Sequence, residues 1–255
     1  MKEITFLGTG TSQGVPIIGC TCAVCQSTNP KDKRLRSSIW VKNKETHIII
    51  DTGPDFRYQA LRAQIPRVDG VLFTHAHKDH IAGLDDIRAY NHIQNESINL
   101  YADQLAQQTI KKEFEYAFNG YDYPGIPRLN LNTFINNQKI KINDLIIEPI
   151  QLLHYKLIVY GFRIHDFTYI TDANYIAPEE FEKIKGTKIL VLNALRREKH
   201  ISHFSLDEAI EIAQKVNAEQ TYFTHISHQL GLHDHVEQEL PSNIFLAYDQ
   251  LKIRL

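Results

Sequence analysis

Short runs of apolar residues recur along the chain, and most of them are rich in β-branched or aromatic side chains. This composition favours β-strands over helices. The stretches "SSIWV" and "THIIIDTG" follow each other closely and predict a β-hairpin. The other candidate strands are "EITFLG", "VDGVLFTH", "SINLYA", "LIIEPIQLL", "YGFRIHDFTYITD", "KILVLNA", "QTYFTHI" and "QLKIRL".

Helical patterns lie between some of these strands, at residues 55–64, 104–118 and 205–217. In the last of them, Ser205 and Glu208 have the spacing of a capping box. Pro178 in "APEEFEKIK" suits the first turn of a further helix. Because no linker, repeat or low-complexity tract is evident, the pattern predicts one mixed α/β domain over residues 1–255, with its helices outside the sheets.

The segment 119–137, "NGYDYPGIPRLNLNTFINN", interrupts this pattern with prolines and glycines beside aromatic residues. It predicts a long loop. Three roles are open for it: a plain surface connection, a lid over a functional site, or a contact in a homodimer.

Composition narrows the class of protein. With 255 residues, 43% of them hydrophobic and 23% charged, the chain can build a substantial core and is typical of globular proteins. Its net charge of −2 does not favour nucleic-acid binding over the whole surface. The start "MKEITFLGTG" does not resemble a signal peptide, and no window approaches the ~20 apolar residues of a membrane span. We therefore expect a cytoplasmic protein without membrane association.

The stretch "FTHAHKDHIAG" concentrates potential metal ligands at the end of an apolar run. His75, His77 and Asp79 alternate by two, which directs their side chains to one side of an extended chain, and His80 follows where the chain turns. Imidazole and carboxylate groups suit Zn, Mn or Fe ions. Four ligands in six residues exceed what one open catalytic ion needs, so the sequence favours a dinuclear site over a solvated polar loop.

This stretch resembles the signature of the metallo-β-lactamase-fold hydrolases. The resemblance implies a four-layer αββα sandwich of two mixed β-sheets with outer helices, and two metal ions at the strand ends. It also implies further ligands at the ends of later strands. His154, Asp172 and His225 occur there in the required order.

The family pattern implies how these ligands would be shared. His75, His77 and His154 would hold one ion, and Asp79, His80 and His225 the other, with Asp172 as the bridge. Asp51 in "IIIDTG" matches a family residue that supports the metal loop. A turn at the end of a strand would equally place an aspartate there.

A second candidate metal site lies in "GCTCAVC". Cys20, Cys22 and Cys25 can surround one structural Zn²⁺ if a fourth ligand completes the site. No fourth cysteine exists, and three clustered cysteines make a poor disulfide framework. His228 is our choice for the fourth ligand, with His233 and His235 as rivals. Three reduced thiols in a loop are the alternative.

The motifs at both ends narrow the resemblance. "GTGTSQGVPIIGCTCAVC" and "FTHISHQ", together with the histidine cluster, resemble the PhnP-like branch, the phosphoribosyl cyclic phosphodiesterases, from residue 4 to about 250. In that branch the cysteine trio and the second histidine of H-x-x-H hold a structural zinc. Related branches, including the tRNA 3′-processing nucleases and a cofactor-biosynthesis protein, share parts of the pattern. "RLRSS" resembles a nuclease stretch, but a long basic arm for tRNA has no counterpart here.

The resemblance implies a metal-dependent phosphodiesterase. It would hydrolyse a small cyclic phosphate or another small phosphodiester with a hydroxide activated by two divalent ions. Asp79 and His203 are the candidate catalytic residues, and His203 would give a proton to the leaving oxygen. His200 competes for that role, and a surface histidine is the plain alternative. The basic loop formed by Arg196, Arg197 and Lys199 suits a phosphate, or equally a solvated face.

Other functions use the same motifs. An RNA 3′-end nuclease is the alternative enzyme, and a thioester or lactam hydrolase would use the same metal pair. A non-catalytic metal-binding or partner-binding protein could also be built on this scaffold, although its complete ligand set argues against lost activity. A redox protein with two iron ions would need a flavin partner domain, which the sequence does not contain.

Overall fold

The computed structural model describes residues 2–120 and 123–254, so Tyr121 and Asp122 of the predicted loop lie outside the described residues. In these residues the chain forms fifteen strands and eight α-helices. The strands are β1 (Lys2–Gly8), β2 (Ser38–Asn43), β3 (Thr46–Ile50), β4 (Gly70–Leu72), β5 (Ile98–Ala102), β6 (Leu129–Thr133), β7 (Ile140–Ile142), β8 (Leu145–His154), β9 (Leu157–Ile164), β10 (Phe167–Tyr169), β11 (Tyr175–Ile176), β12 (Ile189–Asn193), β13 (Gln220–Thr224), β14 (Ile244–Leu246) and β15 (Lys252–Arg254).

The α-helices lie between the strands. They are α1 (Ala23–Gln26), α2 (Phe56–Ala63), α3 (Lys78–Ile81), α4 (Arg88–Gln94), α5 (Gln104–Glu113), α6 (Pro178–Ile184), α7 (Leu206–Val216) and α8 (His233–Glu237). Short 3₁₀ helices at Pro30–Asp32, Leu84–Ile87 and Glu115–Ala117 complete the regular structure of the described residues.

The strands form two mixed sheets. The first has the order β15-β1-β2-β3-β4-β5-β6, antiparallel from β15 to β3 and parallel from β3 to β6. The second has the order β11-β8-β9-β10-β12-β13-β14, with β7 paired to β8. Strands β10, β12, β13 and β14 are parallel. Parallel neighbours end at the same edge of a sheet, and this edge is where the candidate site forms.

Three apolar layers separate four layers of backbone. Ile4, Ile48 and Phe162 belong to the layer between the two sheets. A second layer lies between the first sheet and its helices α2, α4 and α5, and a third between the second sheet and its helices α6, α7 and α8. This arrangement confirms the predicted four-layer αββα sandwich.

The predicted helices are present with small changes at their ends. Helix α7 begins after Ser205, whose side chain accepts from the backbone N–H of Glu208, while the Glu208 carboxylate accepts from the N–H of Ser205. The predicted capping box is therefore confirmed. Helix α6 begins at Pro178, where a missing N–H leaves no hydrogen bond unmade. The helix predicted at 104–118 ends at Glu113 and continues only as a 3₁₀ turn.

Two strand predictions need correction. The segment 119–137 is not loop throughout, because β6 pairs in parallel with β5 at the edge of the first sheet. Its sequence "LNLNT" is rich in asparagine, which is rare in strands, but an edge strand tolerates such polar side chains because one side is open to solvent. The run "YGFRIHDFTYITD" divides into β9 and β10, with a turn in which His165 has a left-handed φ of 56°.

Candidate metal centre

The candidate ligands meet at the ends of strands from both sheets. The histidine-rich stretch follows β4 of the first sheet, whereas His154 ends β8, and Asp172 and His225 follow β10 and β13 of the second. The two sheets are joined here by a backbone hydrogen bond of 2.9 Å from the N–H of Tyr160 to the carbonyl of Thr74. The predicted ligands, scattered over the sequence, are therefore brought together.

Asp51, at the end of β3, holds the histidine-rich loop. It is fully buried, and its carboxylate accepts from the backbone N–H of Thr74 at 2.9 Å and from the Thr74 hydroxyl at 2.8 Å. The same carboxylate lies 2.7 Å from Nδ1 of His80. Asp51 thus fixes the His80 ring with Nε2 directed toward the other ligands, and it does more than end a strand.

Close backbone packing keeps this loop in place. The N–H of Thr52 donates to the carbonyl of His80 at 2.8 Å. A Cβ at Gly53 would lie 2.0 Å from the carbonyl oxygen of Asp79, so only glycine permits this approach.

The first ligand group comprises His75, His77 and His154, whose potential ligand atoms all lie within 4.8 Å of one another. Nδ1 of His154 donates to the carbonyl of Ser202 at 2.8 Å, and Nδ1 of His75 lies 3.0 Å from the Thr74 hydroxyl. These contacts leave the Nε2 atoms of His75 and His154 free to act as ligands. His77 is exposed, so solvent reaches this group.

The second ligand group comprises Asp79, His80, Asp172 and His225, again within 4.8 Å of one another. Oδ2 of Asp172 lies 3.4 Å from Nε2 of His80 and 3.8 Å from Nε2 of His75, while its Oδ1 lies 2.9 Å from Nδ1 of His225. Asp172 therefore faces members of both groups, which is the position that a bridging carboxylate requires.

The chemistry of these side chains fits divalent cations. The Nε2 atom of His75 is buried without a hydrogen bond, which is costly unless another partner is bound. Burial, followed by the charge of His80, lowers the pKa of His75 well below its ordinary value, so this imidazole is in its neutral, ligating form.

The carboxylates reinforce this preference for positive charge. Burial disfavours ionised Asp172, but the nearby His225 and His80 outweigh burial and hold the pKa of Asp172 well below its usual range. Burial likewise opposes a charged His80, yet the carboxylates Asp79, Asp172 and Asp51 raise its pKa well above the ordinary value.

Three of the site residues at strand ends share an uncommon backbone conformation. Asp51, Asp172 and His225 have left-handed φ angles of 63°, 56° and 55°. This region is sparsely populated by residues other than glycine, and such conformations cluster at functional sites. Asp51 and His225 come directly after β3 and β13, and Asp172 comes three residues after the end of β10.

His203 lies against the second group. Its ring is stacked on His225 with centroids 4.9 Å apart, and it lies 4.6 Å from the ring of His154. Burial lowers the pKa of His203 to about 3, and its Nδ1 has no hydrogen-bond partner. His200 is one ring farther out, 5.2 Å from His203, and is partly exposed. The structure therefore places His203, rather than His200, in contact with the candidate ligands His154 and His225.

The neighbouring basic loop is engaged in its own contacts. Arg196 donates to Gln229 and to carbonyl oxygens of the loop itself. Arg197 donates to the carbonyl of Leu230 and to the Glu239 carboxylate. These arginines fasten the loop to the segment after β13 rather than extending toward the ligand groups.

The three cysteines meet His228, as predicted. Nδ1 of His228 lies 3.4, 3.3 and 3.6 Å from the Sγ atoms of Cys20, Cys22 and Cys25. A tetrahedral zinc with ordinary Zn–S and Zn–N bonds would separate sulfur and nitrogen by about 3.5 Å, so the arrangement fits that ion. The rival His233 is instead hydrogen-bonded to Arg34 at 3.0 Å.

The thiols differ in how readily they ionise. The backbone N–H of Cys25 and the ring of His228 lower the pKa of Cys22 to about 6. Burial raises the pKa of Cys25 to about 11. A cation among the three sulfurs would favour the ionised form of all of them.

The comparisons with known proteins agree with this geometry. A family model described as a β-lactamase superfamily domain matches residues 46–226. The crystal structure of a new diphosphatase from the PhnP family superposes with a TM-score of 0.94 at 39% identity, covering 100% of this chain and 98% of that one. The chain belongs to the PhnP family of the metallo-β-lactamase superfamily.

Two further proteins are similar to this chain, one in sequence and one in fold. An octanoyltransferase of Porphyromonas gingivalis (strain ATCC BAA-308 / W83) is 38% identical over 249 residues, which are 97% of this chain and 50% of that protein. The chain thus spans half the length of this curated relative. Zn²⁺-bound PqqB from Methylobacterium extorquens shares the fold, with a TM-score of 0.81 at 17% identity, covering 99% of this chain and 100% of that one. Among the described residues of the chain, no helix has the length and apolar character needed to cross a membrane.

Sequence reasoning missed residues that act through the ligands. Thr74 contacts Asp51, His75 and His80 through one hydroxyl, and the Ser37 hydroxyl lies 3.3 Å from Nδ1 of His225. Single threonines and serines carry no spacing signal, so only the three-dimensional contacts identify them.

Proposed function

We propose that this metal-dependent hydrolase of the metallo-β-lactamase fold cleaves small phosphodiesters. The observation that carries the proposal is the pair of ligand groups joined by Asp172, with His203 stacked beside them. Such a pair suits a phosphodiester, because its negative charge increases on two oxygens as water attacks phosphorus. Small cyclic phosphates and linear diesters both have this chemistry.

The two ligand groups would hold one cation each. When bound, divalent cations lower the pKa of a coordinated water and neutralise phosphate charge. The chain's own residues fix the geometry: Asp51 orients His80, the carbonyl of Ser202 orients His154, and Asp172 spans both groups. The exposed His77 leaves the centre open to a substrate from solvent.

His203 would assist the leaving group. Hydrolysis forms a bond from the water oxygen to phosphorus and breaks the bond to the leaving oxygen, which must receive a proton. With its pKa lowered to about 3 by burial, His203 is neutral at pH 7 and carries one N–H. It would therefore act by donating that hydrogen bond to the leaving oxygen, where negative charge develops. The attacking water loses one proton to solvent and the leaving oxygen takes one up from solvent, so the reaction balances with His203 neutral throughout.

The relatives support a reaction at phosphorus. A PhnP-family protein 39% identical over the whole chain is described as a diphosphatase, so a diphosphate diester belongs among the trial substrates. The octanoyltransferase matches over only half of its own length. Its name therefore does not bear on the reaction proposed for this chain.

A turnover panel tests the proposal. The full chain, loaded with Zn or Mn, would be assayed on bis(4-nitrophenyl) phosphate, a nucleoside 2′,3′-cyclic phosphate, a dinucleoside diphosphate, an octanoyl thioester and a precursor tRNA. We expect turnover of the small phosphate esters, loss of it in Asp172→Asn, and near-normal activity in Asp69→Asn. Asp69 is a matched control because it lies directly before β4, whereas the histidine-rich stretch lies after the other end of β4. Turnover confined to the thioester or to tRNA would refute the proposal.

A further inference from the structure

A cavity of about 300 Å³ opens beside the first ligand group. One side of it is formed by His75 and His77. The opposite wall is largely apolar and comes from the first turn of α5 and the start of β9, including Leu105, Ala106, Leu157 and Ile158. Its volume is at the lower end of the range for small-molecule pockets.

The apolar wall is not explained by packing of the core. Leu105 is 52% exposed and Ile158 is 42% exposed. The buried residues of α5 are Ala106, Gln107 and Ile110, so Leu105 projects from a different face of the helix. A single exposed apolar side chain is unremarkable, but two that line one cavity with metal-ligating histidines indicate a binding surface.

One β-hairpin carries both a candidate ligand and part of the apolar wall. Leu157 is paired with His154 across the β8–β9 hairpin, so the hairpin that supplies a ligand also supplies the wall. A group attached to a phosphate held at the first ligand group would therefore reach the apolar side chains directly.

A carboxylate limits what the cavity can accept. Asp103 lines it and caps α5 by accepting from the backbone N–H of Ala106 at 3.0 Å. A substituent that carried its own negative charge would be repelled by Asp103, whereas an uncharged one would not.

We infer that this cavity is a subsite for an uncharged apolar or aromatic substituent on the substrate phosphate. The inference rests on the proposed function and deepens it. It selects diesters that carry an aryl, alkyl or nucleobase group over diesters whose substituent ends in a second phosphate. The apolar substituent is the group that leaves water on binding, so it supplies affinity and selects the substrate.

Binding of simple phosphonates tests the subsite without turnover. Dissociation constants of phenylphosphonate and methylphosphonate would be measured by calorimetry on the metal-loaded full chain. We expect phenylphosphonate to bind on the order of tenfold more tightly. Leu105→Ser and Ile158→Ser should remove most of this preference and leave methylphosphonate binding unchanged.

Leu61→Ser is the matched control. Leu61 is 60% exposed and lies in a separate groove between α2 and α4, so its loss should change neither constant. Equal affinity for the two phosphonates, no binding of either, or a preference that survives in Leu105→Ser and Ile158→Ser would overturn the inference. A preference that those variants abolish, in a protein that hydrolyses no diester, would retain the apolar subsite and refute the proposed function alone.

Asp103→Asn tests the selection by charge. Asparagine also caps helices well, so α5 should persist. We expect 2-carboxyethylphosphonate to bind several-fold more tightly to Asp103→Asn than to the wild type, while phenylphosphonate binding stays constant. An unchanged affinity for the charged phosphonate would remove Asp103 from the selection.

Discussion

Asp51→Asn should disturb the metal centre without removing a ligand. In the wild type, one carboxylate oxygen accepts from the Thr74 hydroxyl at 2.8 Å and lies 2.7 Å from Nδ1 of His80. Asparagine can place only one acceptor in this pocket. If its amide nitrogen faces His80, Nδ1 must accept a hydrogen bond, and the proton moves to Nε2, the atom needed for the metal.

The expected size of the effect follows from this single contact. Changes to residues that orient metal-ligating histidines typically weaken metal binding or activity by about 10- to 100-fold. That range corresponds to about 1.4–2.7 kcal/mol of binding free energy. The short, buried contact between Asp51 and His80 places our expectation toward the upper end.

The assay is competition with a chelator of known affinity, followed by metal analysis of the protein. We expect Asp51→Asn to lose one active-site ion at chelator concentrations that leave the wild type fully loaded. Asp69→Asn, which replaces a largely buried aspartate at the other end of β4, should behave as the wild type. If Asp51→Asn and the wild type release metal at the same chelator concentration, Asp51 does not orient His80.

Three further changes probe other parts of the molecule. His203→Ala should retain both active-site ions yet lose about 10²–10³-fold in turnover of an aryl phosphodiester, because the leaving oxygen loses its hydrogen-bond donor. Cys22→Ser should lower the zinc content and the melting temperature together, because a structural zinc contributes directly to folding. His233, whose pKa burial lowers to about 4, is held neutral by the fold, so its stabilisation is complete above pH 6.5 and is lost as pH falls toward 4. The wild type should therefore lose about 3 kcal/mol more unfolding free energy than His233→Gln over that interval, measured by urea titration.

Each of these changes has its own control. Retained turnover in His203→Ala, with full metal content, would exclude His203 from the reaction. His235→Ala removes an exposed histidine near the cysteine loop and should leave the zinc content unchanged, whereas unaltered zinc in Cys22→Ser would mean that the trio holds no ion. For His233, equal slopes of unfolding free energy against pH in wild type and variant would contradict the assigned pKa.

The sequence predicted the ligands well because their signal is local. His75, His77, Asp79 and His80 are close together in the chain, so their proximity is evident from the sequence. The prediction that Asp79 continues an extended alternation is wrong, because the extended segment ends at His77 and Asp79 lies in helix α3. His154, Asp172 and His225 were recognisable only from the resemblance, because a lone polar residue after a strand is common. Their convergence depends on the strand order of the second sheet, which no local pattern contains.

The misses have a different physical cause. Strand β6 was predicted as loop because its asparagines have low strand propensity, yet pairing with β5 and one solvent-exposed side compensate for that preference. The division between β9 and β10 was missed because the apolar pattern runs through the turn at His165. Both elements are set by contacts with neighbouring strands rather than by their own residues.

The centre also explains why the two sheets must dock in one register. The first sheet supplies His75, His77, Asp79 and His80, and the second supplies His154, Asp172 and His225. Neither sheet alone carries a complete ligand group, since each group contains members of both. The cysteine cluster acts in the same direction, because it ties the loop after β1 to His228, three residues after the ligand His225. Cations bound at these positions would bind the docked arrangement and not the separated sheets, so the affinity for metal stabilises the packing that creates the site.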